Sequence, residues 1–345
     1  MEFQFGFLRN DEMKRLVLID GINFFYRGAW KGGEIWHCNG KDMSYVVIFF
    51  RNLANMMENL GKDGAENTFA ICWDGGYAER LRISTEAVEK GLIPKAYKQE
   101  RREARETEDP EEKEKQESFF RQMDESKKIL PFTSVREVFV KGEEADDLIG
   151  SLARKYKSDF DEVLLVTTDK DYYQLIGENI RIYSSGDNSY KDAAYLKSEY
   201  NLDSPSQWID VGALAGETGK SSDTIYGAPG IGYKIASRLI SEYGTLDNLL
   251  ESSKDALEED IRNCGGEKEL YDKVKSHEYK LKHHVKEMYA VSHKEVVLLA
   301  RRLKAIRTFL DIELPKNTAD WVALDQTFKK IGIPASTKML DALTK

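Results

Sequence analysis

Cysteine is scarce in this chain. Cys38, Cys72 and Cys264 are the three cysteines among 345 residues, and no Cys-x-x-Cys pair occurs. An odd, scattered set argues against a disulfide framework and a structural zinc site, and fits a reducing cytoplasm. Long apolar runs are lacking too. No stretch approaches the roughly 18 apolar residues of a membrane helix, so no membrane association is expected. The segment Met1 to Arg15 has no basic stretch ahead of a long apolar run, and no secretory leader is expected. Nor is there an excess of positive charge. The formal net charge of −9 argues, at face value, against nucleic acid. Binding, however, depends on local rather than net potential. The acidic excess has two visible sources: a surface run from Glu106 to Glu117, and carboxylates that recur at the ends of apolar segments.

What is present is enough for a full-sized core: 41% of the residues are hydrophobic, which suits two structural units better than one. Four segments predict buried strands: Leu16–Asp20, Thr68–Asp74, Arg136–Val140 and Glu162–Asp169. Each is short, β-branched or aromatic and nearly continuous in apolar character, as in a parallel sheet covered on both faces. Helical patterns over Tyr45–Leu60, Glu117–Leu130 and Ala145–Tyr156 separate them. The expected fold class is therefore α/β with a mainly parallel sheet. Residues from about 80 to 130 are dense in charge and poor in large apolar side chains, which predicts an exposed helical excursion. After about Leu202 the strand signals stop, and helices are expected over Ile231–Tyr243 and Glu267–Lys282, with a break at Gly265-Gly266. The expected division is residues 1–204 and 205–345.

Three of the four strands end in aspartate: Asp20, Asp74 and Asp169. Ligands of open parallel sheets bind outside the carboxyl ends of the strands, so the three acids are expected in one crevice. The third strand leads into Glu143-Glu144-Ala145-Asp146-Asp147 at a helix start, and Asp171 follows Asp169 by two residues. Taken singly, each acid suits a turn, a cap or a helix dipole. Together they would repel one another unless a cation joined them. Oxygen-rich sites of this kind suit Mg²⁺ or Mn²⁺, and two such ions ~4 Å apart can bracket a phosphodiester.

Asp20-Gly-Ile-Asn23, Glu144-Ala-Asp-Asp147, Thr168-Asp-Lys-Asp171 and Gly227-Ala-Pro-Gly-Ile-Gly232 occur in this order. They resemble the signatures of the bacteriophage and bacterial 5′ nucleases, the flap-endonuclease and 5′–3′ exonuclease family. That resemblance implies a PIN-like nuclease domain with a helical arch, followed by a helix–three-turn–helix domain that grips duplex DNA. It implies a structure-specific, Mg²⁺-dependent 5′ nuclease, acting by two metal ions, with Mn²⁺ able to substitute. Asp20, Asp74, Glu144 and Asp146 would serve a first metal position. Asp147, Asp169, Asp171 and Asp223 would serve a second or bridging group. Arg27 matches a basic residue near the scissile phosphate. Tyr97-Lys98-Gln-Glu-Arg101 resembles the segment at the base of the arch. Lys98, Arg101, Arg102 and Arg105 fall at helical spacing and are expected to draw a phosphate toward the metals. Tyr97 is expected to stack on a base. The bland alternative for this stretch is a solvated face with i,i+4 ion pairs.

Closely spaced glycines let the backbone turn sharply and present several N–H groups. Gly230 and Gly232, with Lys234 and Arg238 on the following helix, are expected to hold duplex phosphates, and the family places K⁺ at this turn. DNA with 5′ ends, flaps or junctions is the implied partner, with RNA–DNA hybrids and replication proteins as further candidates. A monomer in the cytoplasm, the host's for a phage-encoded chain, is expected.

The pattern departs in one place. The family's Gly-Asp-x-x-Asp-Asn is here Gly216-Glu-Thr-Gly-Lys-Ser-Ser-Asp223-Thr224, with Glu217 in place of the first Asp, three extra residues, and Thr for Asn. Glu217 is the replacement ligand. Gly219-Lys220-Ser221 ends like a P-loop, but position 214 is Leu where that motif needs Gly. The basic residues Lys280, Lys282, Lys286, Arg301, Arg302, Lys304 and Arg307 suit either a duplex-binding surface or solvated helix faces. His283-His284 has no paired ligand spacing, and residues after about 315 match nothing. A PIN-like single-strand ribonuclease and a non-catalytic DNA-binding homologue remain the rival readings.

Overall fold

A computed structural model describes residues 12–30, 35–219, 222–252, 254–266, 268, 269, 272 and 290–345. The expected helix Glu267–Lys282 falls largely outside these residues. Lys280, Lys282, Lys286, His283, His284, Lys220 and Ser221 lie outside them altogether.

The centre is a six-stranded sheet. β1 (Lys14–Asp20) is followed by helices α1 (Gly21–Trp30) and, after a small hairpin of β2 (His37–Cys38) and β3 (Lys41–Asp42), α2 (Ser44–Leu60). Next come β4 (Glu66–Trp73), β5 (Arg136–Phe139), β6 (Glu162–Val166), β7 (Ile180–Ser184) and β8 (Ser189–Lys191). The sheet order is β5-β4-β1-β6-β7-β8. All neighbours are parallel except β7 and β8. β1 is flanked by β4 on one side and β6 on the other, so the strand order reverses there, which is where open α/β sheets bind ligands. The expected mainly parallel α/β class is what forms. The last two strands, β7 and the short edge strand β8, are not marked in the sequence; β7 carries Arg181 at its second position, which masks its apolar pattern. Glu162–Asp169 is strand only to Val166.

Alternate residues of the strands serve two cores. Leu16, Leu18, Ala70, Cys72 and Leu165 face α6 (Ala145–Tyr156) and the helical unit beyond it. Val17, Ile19, Phe69, Ile71, Trp73, Leu164 and Val166 face α1 and α2. Every one of these is buried, which is why the strands read as continuous apolar runs.

The 80–130 stretch is only partly the exposed excursion expected. α3 (Ala78–Glu89) buries Arg80, Ser84 and Ala87, spaced four and three apart on one face. α4 (Gln99–Glu106) buries nothing. α5 (Pro110–Ile129) starts with Asp109 accepting from the Glu112 N–H at 3.0 Å, has proline at its first position, and ends on Lys127 and Lys128, all favourable end residues. It buries Gln122, Met123, Ser126 and Ile129 at its far end.

The helical unit holds α7 (Ala193–Tyr200), α8 (Gln207–Ala215), α9 (Tyr233–Tyr243), α10 (Leu246–Ser252), α11 (Lys254–Cys264) and the helix Lys294–Lys304. Gly265 and Gly266 end α11 with φ of 83° and 143°, the expected break. The chain then returns to the sheet. Helices Trp321–Ile331 and Thr337–Thr344, from the stretch the sequence leaves unassigned, place Leu324, Phe328, Ile333, Leu340 and Leu343 in the core under α2. Phe328 meets Phe50 edge-on at 5.3 Å, and the Ser134 N–H donates to the Leu343 carbonyl at 2.8 Å.

Phe328→Ala is expected to cost about 3 kcal/mol or more in urea unfolding, the cost of emptying a buried aromatic site. A loss below about 1 kcal/mol would show that the last helices do not belong to this core.

Candidate active site

The carboxyl end of the sheet is lined with acids. Asp20 closes β1; its Oδ1 accepts from the Asn23 N–H at 3.1 Å and its Oδ2 from the Tyr172 hydroxyl at 3.0 Å. Asp74 follows β4. Gly75 lets this strand end press against the next crossover, since a Cβ there would lie 2.0 Å from the Val140 carbonyl oxygen. That contact brings Asp74 onto the first turn of α6, where its Oδ1 accepts from the Ala145 N–H at 2.7 Å. Asp169 caps the 3₁₀ turn Lys170–Leu175 and accepts from the Asp171 N–H at 2.8 Å. Asp20 and Asp169 hold local turns, as the single-residue reading expects, and Asp74 bonds the first turn of α6, yet the charges of Asp74 and Asp20 and of Asp20 and Asp169 also act on one another. Burial first, then Asp74, pushes the Asp20 carboxyl up to about 6. Burial first, then Asp171 and more weakly Asp20, pushes Asp169 up to about 7. Among the described residues no Lys or Arg lies within 4.0 Å of the carboxylates of Asp20, Asp74 or Asp169.

The second group is different. Glu144, Asp146 and Asp147 offer oxygens that all lie within 4.8 Å of one another. The buried Arg80 of α3 runs into this group. It pairs with Glu144, with Asp146 at 3.0 Å and with Asp147 at 2.9 Å, and donates to the Leu303 carbonyl at 2.9 Å. Sequence reasoning missed Arg80 because it assigned the stretch to the solvent. The stripe Arg80-Ser84-Ala87 was the available signal: small side chains at helical spacing behind one arginine. Burial would lower the Arg80 guanidinium, and Asp146, Glu144 and Asp147 more than offset this. Asp146 is raised well above the carboxylate range, by burial first, with Arg80 opposing. Asp147, assigned to a metal group, is fully buried, and both its oxygens are taken. Arg307 donates its backbone N–H to Oδ1 at 2.7 Å and its Nε to Oδ2 at 3.0 Å, alongside Arg80.

The base of the arch corrects two expectations. Tyr97 is 3% exposed, so its ring is not available to stack on a base. Its hydroxyl instead bonds Glu144 Oε1 at 3.1 Å and Asp223 Oδ2 at 3.0 Å. Lys98 does not share a helix face with Arg101, Arg102 and Arg105. It precedes α4 in the left-handed region, with φ 55°, which turns its side chain inward. Its Nζ lies 2.7 Å from Glu144 Oε1 and 3.8 Å from Asp223 Oδ1. Arg101 reaches Asp223 at 4.0 Å, Arg102 donates to the Tyr77 hydroxyl at 2.9 Å, and Arg105 is exposed. Arg27 sits on α1, and its side chain lies outside the described residues.

The departing loop is closed at its neck. Glu217 and Ile225 exchange backbone bonds of 2.6 and 2.7 Å, which loops out the extra residues. Glu217 and Asp223 therefore leave the neck toward different partners. Asp223 faces Tyr97, Lys98 and Arg101, on the Glu144 side rather than with Asp169 and Asp171. Glu217 meets Lys304, which also holds Asp171. Lys304 and Arg307, expected on a duplex surface or a solvated face, both turn into the acid cluster, and Arg301 pairs with Asp247 at 2.8 Å. Thr224, where the family pattern has Asn, is buried with φ 58°, a conformation that Asn tolerates and a β-branched residue does not.

At the glycine-rich turn, Gly227 packs so closely on α8 that a Cβ would lie 2.4 Å from the Leu214 carbonyl oxygen. Gly230 has φ 71°, and Gly232 caps α9. Gly232, Lys234 and Arg238 are exposed, with the two cations one helical turn apart.

An acid-lined crevice at the switch point of a parallel sheet, joined to a helical unit with a glycine-rich turn, defines the class of PIN-like folds with an appended helical domain. The comparisons with known proteins agree. Residues 15–201 match the 5'-3' exonuclease N-terminal resolvase-like domain, and residues 203–327 match the 5'-3' exonuclease C-terminal SAM fold. The chain belongs to the 5'-3' exonuclease family. It is 37% identical over 251 residues to a thermostable DNA polymerase I of Thermus thermophilus, covering 72% of this chain and 27% of the polymerase. This chain thus spans about a quarter of the length of the polymerases it matches. A 5'-3' exonuclease of Halalkalibacterium halodurans is 27% identical over 249 residues, covering 70% of this chain and 74% of its own. The fold is similar to that of T5 5'-exonuclease solved with zinc bound, at TM-score 0.62, 19% identity, and coverage of 92% and 98% of the two chains.

The raised acids have a consequence for stability. Between the ordinary value of 3.8 and their folded values, Asp20 and Asp169 hold protons in the native state that the unfolded chain has released. Their contribution is therefore present at low pH and is lost as pH rises toward 7. The melting temperature of metal-free wild type is expected to fall relative to Asp20→Asn/Asp169→Asn between about pH 4.5 and pH 7.5. Parallel curves would contradict the crowding. Thr224→Asn is expected to stabilise the chain by about 1 kcal/mol, by relieving the left-handed threonine, and an unchanged or lowered unfolding free energy would count against that strain.

Proposed function

We propose that this chain hydrolyses phosphodiester bonds of DNA near 5′ ends, flaps or junctions, and of RNA–DNA hybrids, in a Mg²⁺-dependent reaction with Mn²⁺ as substitute. The observation that carries this reading is the group Asp20, Asp74 and Asp169: strand-end carboxylates gathered at the switch point with no cationic side chain within 4.0 Å among the described residues. A donor set made only of carboxylate oxygen suits a hard divalent ion. Asp20, Asp74 and Asp169 would hold it, with the partly exposed Asp146 beside them, while Glu144 is engaged by Arg80, Tyr97 and Lys98. When bound, such an ion supplies a Lewis acid and lowers the pKa of water.

The chain's own residues supply the rest. Lys98 is held at the edge of the acids by Tyr97, Asp223 and Glu144. Its ammonium is kept charged because Asp223 and Glu144 more than offset the effect of burial. A phosphate entering the crevice would meet this ammonium, which offsets the negative charge that grows on the phosphoryl oxygens. Arg101, Arg102 and Arg105 follow on α4 and would draw the phosphate in from the arch. Arg27, on α1 beyond Asp20, would act near the scissile phosphate. Gly230, Gly232, Lys234 and Arg238 would hold duplex phosphates at the N-terminus of α9, with K⁺ at the Gly227–Gly232 turn.

The test is cleavage of a 5′-labelled flap duplex with Mg²⁺ and with EDTA. Cleavage is expected only with Mg²⁺. Asp146→Ala or Asp169→Ala should abolish it while duplex binding stays measurable, and Lys98→Ala should lower kcat by about 100-fold or more. Near-normal turnover in either aspartate variant would overturn the assignment. Cutting of single-stranded RNA alone would favour the ribonuclease reading, and binding without cutting the non-catalytic one.

A further inference from the structure

The acids of the crevice differ in their counter-charges. On the side of Asp20, Asp74 and Asp169 none lies within 4.0 Å among the described residues. On the side of Asp171 and Glu217 a lysine supplies it. Lys304 Nζ lies 2.9 Å from Asp171 Oδ2 and 2.7 Å from Glu217 Oε2, and the residue is 3% exposed. Its stem runs along α8, where a Cβ on Gly212 would sit 3.5 Å from Lys304 Cγ. A Cβ at position 212 would thus rest in ordinary contact with that stem.

The backbone around Lys304 is tied down on every side. Arg80 Nε donates to the Leu303 carbonyl at 2.9 Å. Gln174, three residues after Asp171, donates to the Lys304 carbonyl and accepts from the Ile306 N–H, both at 2.9 Å. Ile306 packs into the space left by Gly150 of α6, where a Cβ would lie 2.7 Å from its Cγ2. The Arg307 N–H donates to Asp147 at 2.7 Å.

The family pattern assigns Asp147, Asp169, Asp171 and Asp223, with Glu217 as the replacement ligand, to a second or bridging metal group. In this structure that set does not fit one. Asp147 is committed to Arg80 and Arg307, and Asp223 to Tyr97 and Lys98. Asp171 and Glu217 share an ammonium that a divalent ion between them would repel at a few ångströms, in surroundings that screen charge poorly. Of that set only Asp169 has no cation within 4.0 Å among the described residues, and Asp20 and, more distantly, Lys304 are among the charges that act on it.

We propose that Lys304 stands in for the second divalent ion, so that this chain loads metal only on the side of Asp20, Asp74 and Asp169. This deepens the reading above and rests on it. Lys304 is a positioning residue here: it neutralises and fixes Asp171 and Glu217, and it ties the end of the helix Lys294–Lys304 to the floor of the site. The replacement of Asp by Glu at position 217 fits the same account, because the longer side chain spans from the neck of the loop to the ammonium.

The test is the stoichiometry of Mn²⁺ binding to the full chain without DNA, followed by calorimetry and by the spin-resonance signal of free Mn²⁺. Wild type is expected to saturate at one ion per chain. Lys304→Met, which keeps the stem over Gly212 and removes the ammonium, should take up a second ion, and Lys304→Arg should not. Asp171→Asn in an otherwise wild-type chain should still bind one ion, a result that does not depend on how Lys304→Met folds. Two ions on wild type, loss of an ion in Asp171→Asn, or a folded Lys304→Met that stays at one would each overturn the proposal. A wild-type chain that binds no Mn²⁺ would refute metal dependence itself, a failure distinct from binding two.

Discussion

Like-charge repulsion among carboxylates at one end of the sheet is the constraint on which the rest of this structure depends. A parallel sheet delivers its strand ends to one side, and here β1, β4 and β6 deliver Asp20, Asp74 and Asp169 with the first turn of α6 beside them. Burial would leave such a group protonated or unstable unless positive charge were brought in. The fold brings it from segments far apart in the chain: Arg80 from α3, Lys98 from the base of the arch, and Lys304 and Arg307 from the end of the helical unit. Each of these cations also fixes the segment that carries it. The helical unit is thereby latched to the sheet through the site itself, by Leu303 to Arg80, Lys304 to Asp171 and Arg307 to Asp147.

That arrangement explains which parts of the site were legible in the sequence. The aspartates stand at the ends of continuous apolar runs, so their position follows from strand period and the geometry of open sheets. The helix after Glu144 follows from the same logic. The cations were not legible in this way. Lys304 and Arg307 sit in a run with Arg301 and Arg302, and only the tertiary fold separates the ones that turn inward from those that face water. Arg80 lay in a stretch whose composition points to solvent, and its burial depends on Ser84 and Ala87 being small enough to let α3 approach. The spacing puts Lys98 on one helical face with the arginines, but its left-handed backbone, just ahead of α4, breaks that periodicity.

The fold shows the same division. The main strands and the helices between them were readable from period and burial. The last two strands were not, because Arg181 interrupts β7 and the edge strand β8 is short and polar. The last two helices were not assigned because nothing local marks their partner: Phe328 and Leu343 have meaning only against α2, nearly the whole chain away. The loop between Gly216 and Thr224 is where the sequence departs from the family pattern. The structure gives that departure a physical content: the neck at Glu217 and Ile225 sends the two acids to different cations.

The central claim is that the crevice is divided into a side that requires metal and a side already neutralised by lysine. Anomalous diffraction from crystals of the full chain soaked in Mn²⁺ would test it most directly. The account predicts one peak, bounded by Asp20, Asp74 and Asp169, with Lys304 still bridging Asp171 and Glu217. A second peak between Asp171 and Glu217, with Lys304 displaced, would contradict it.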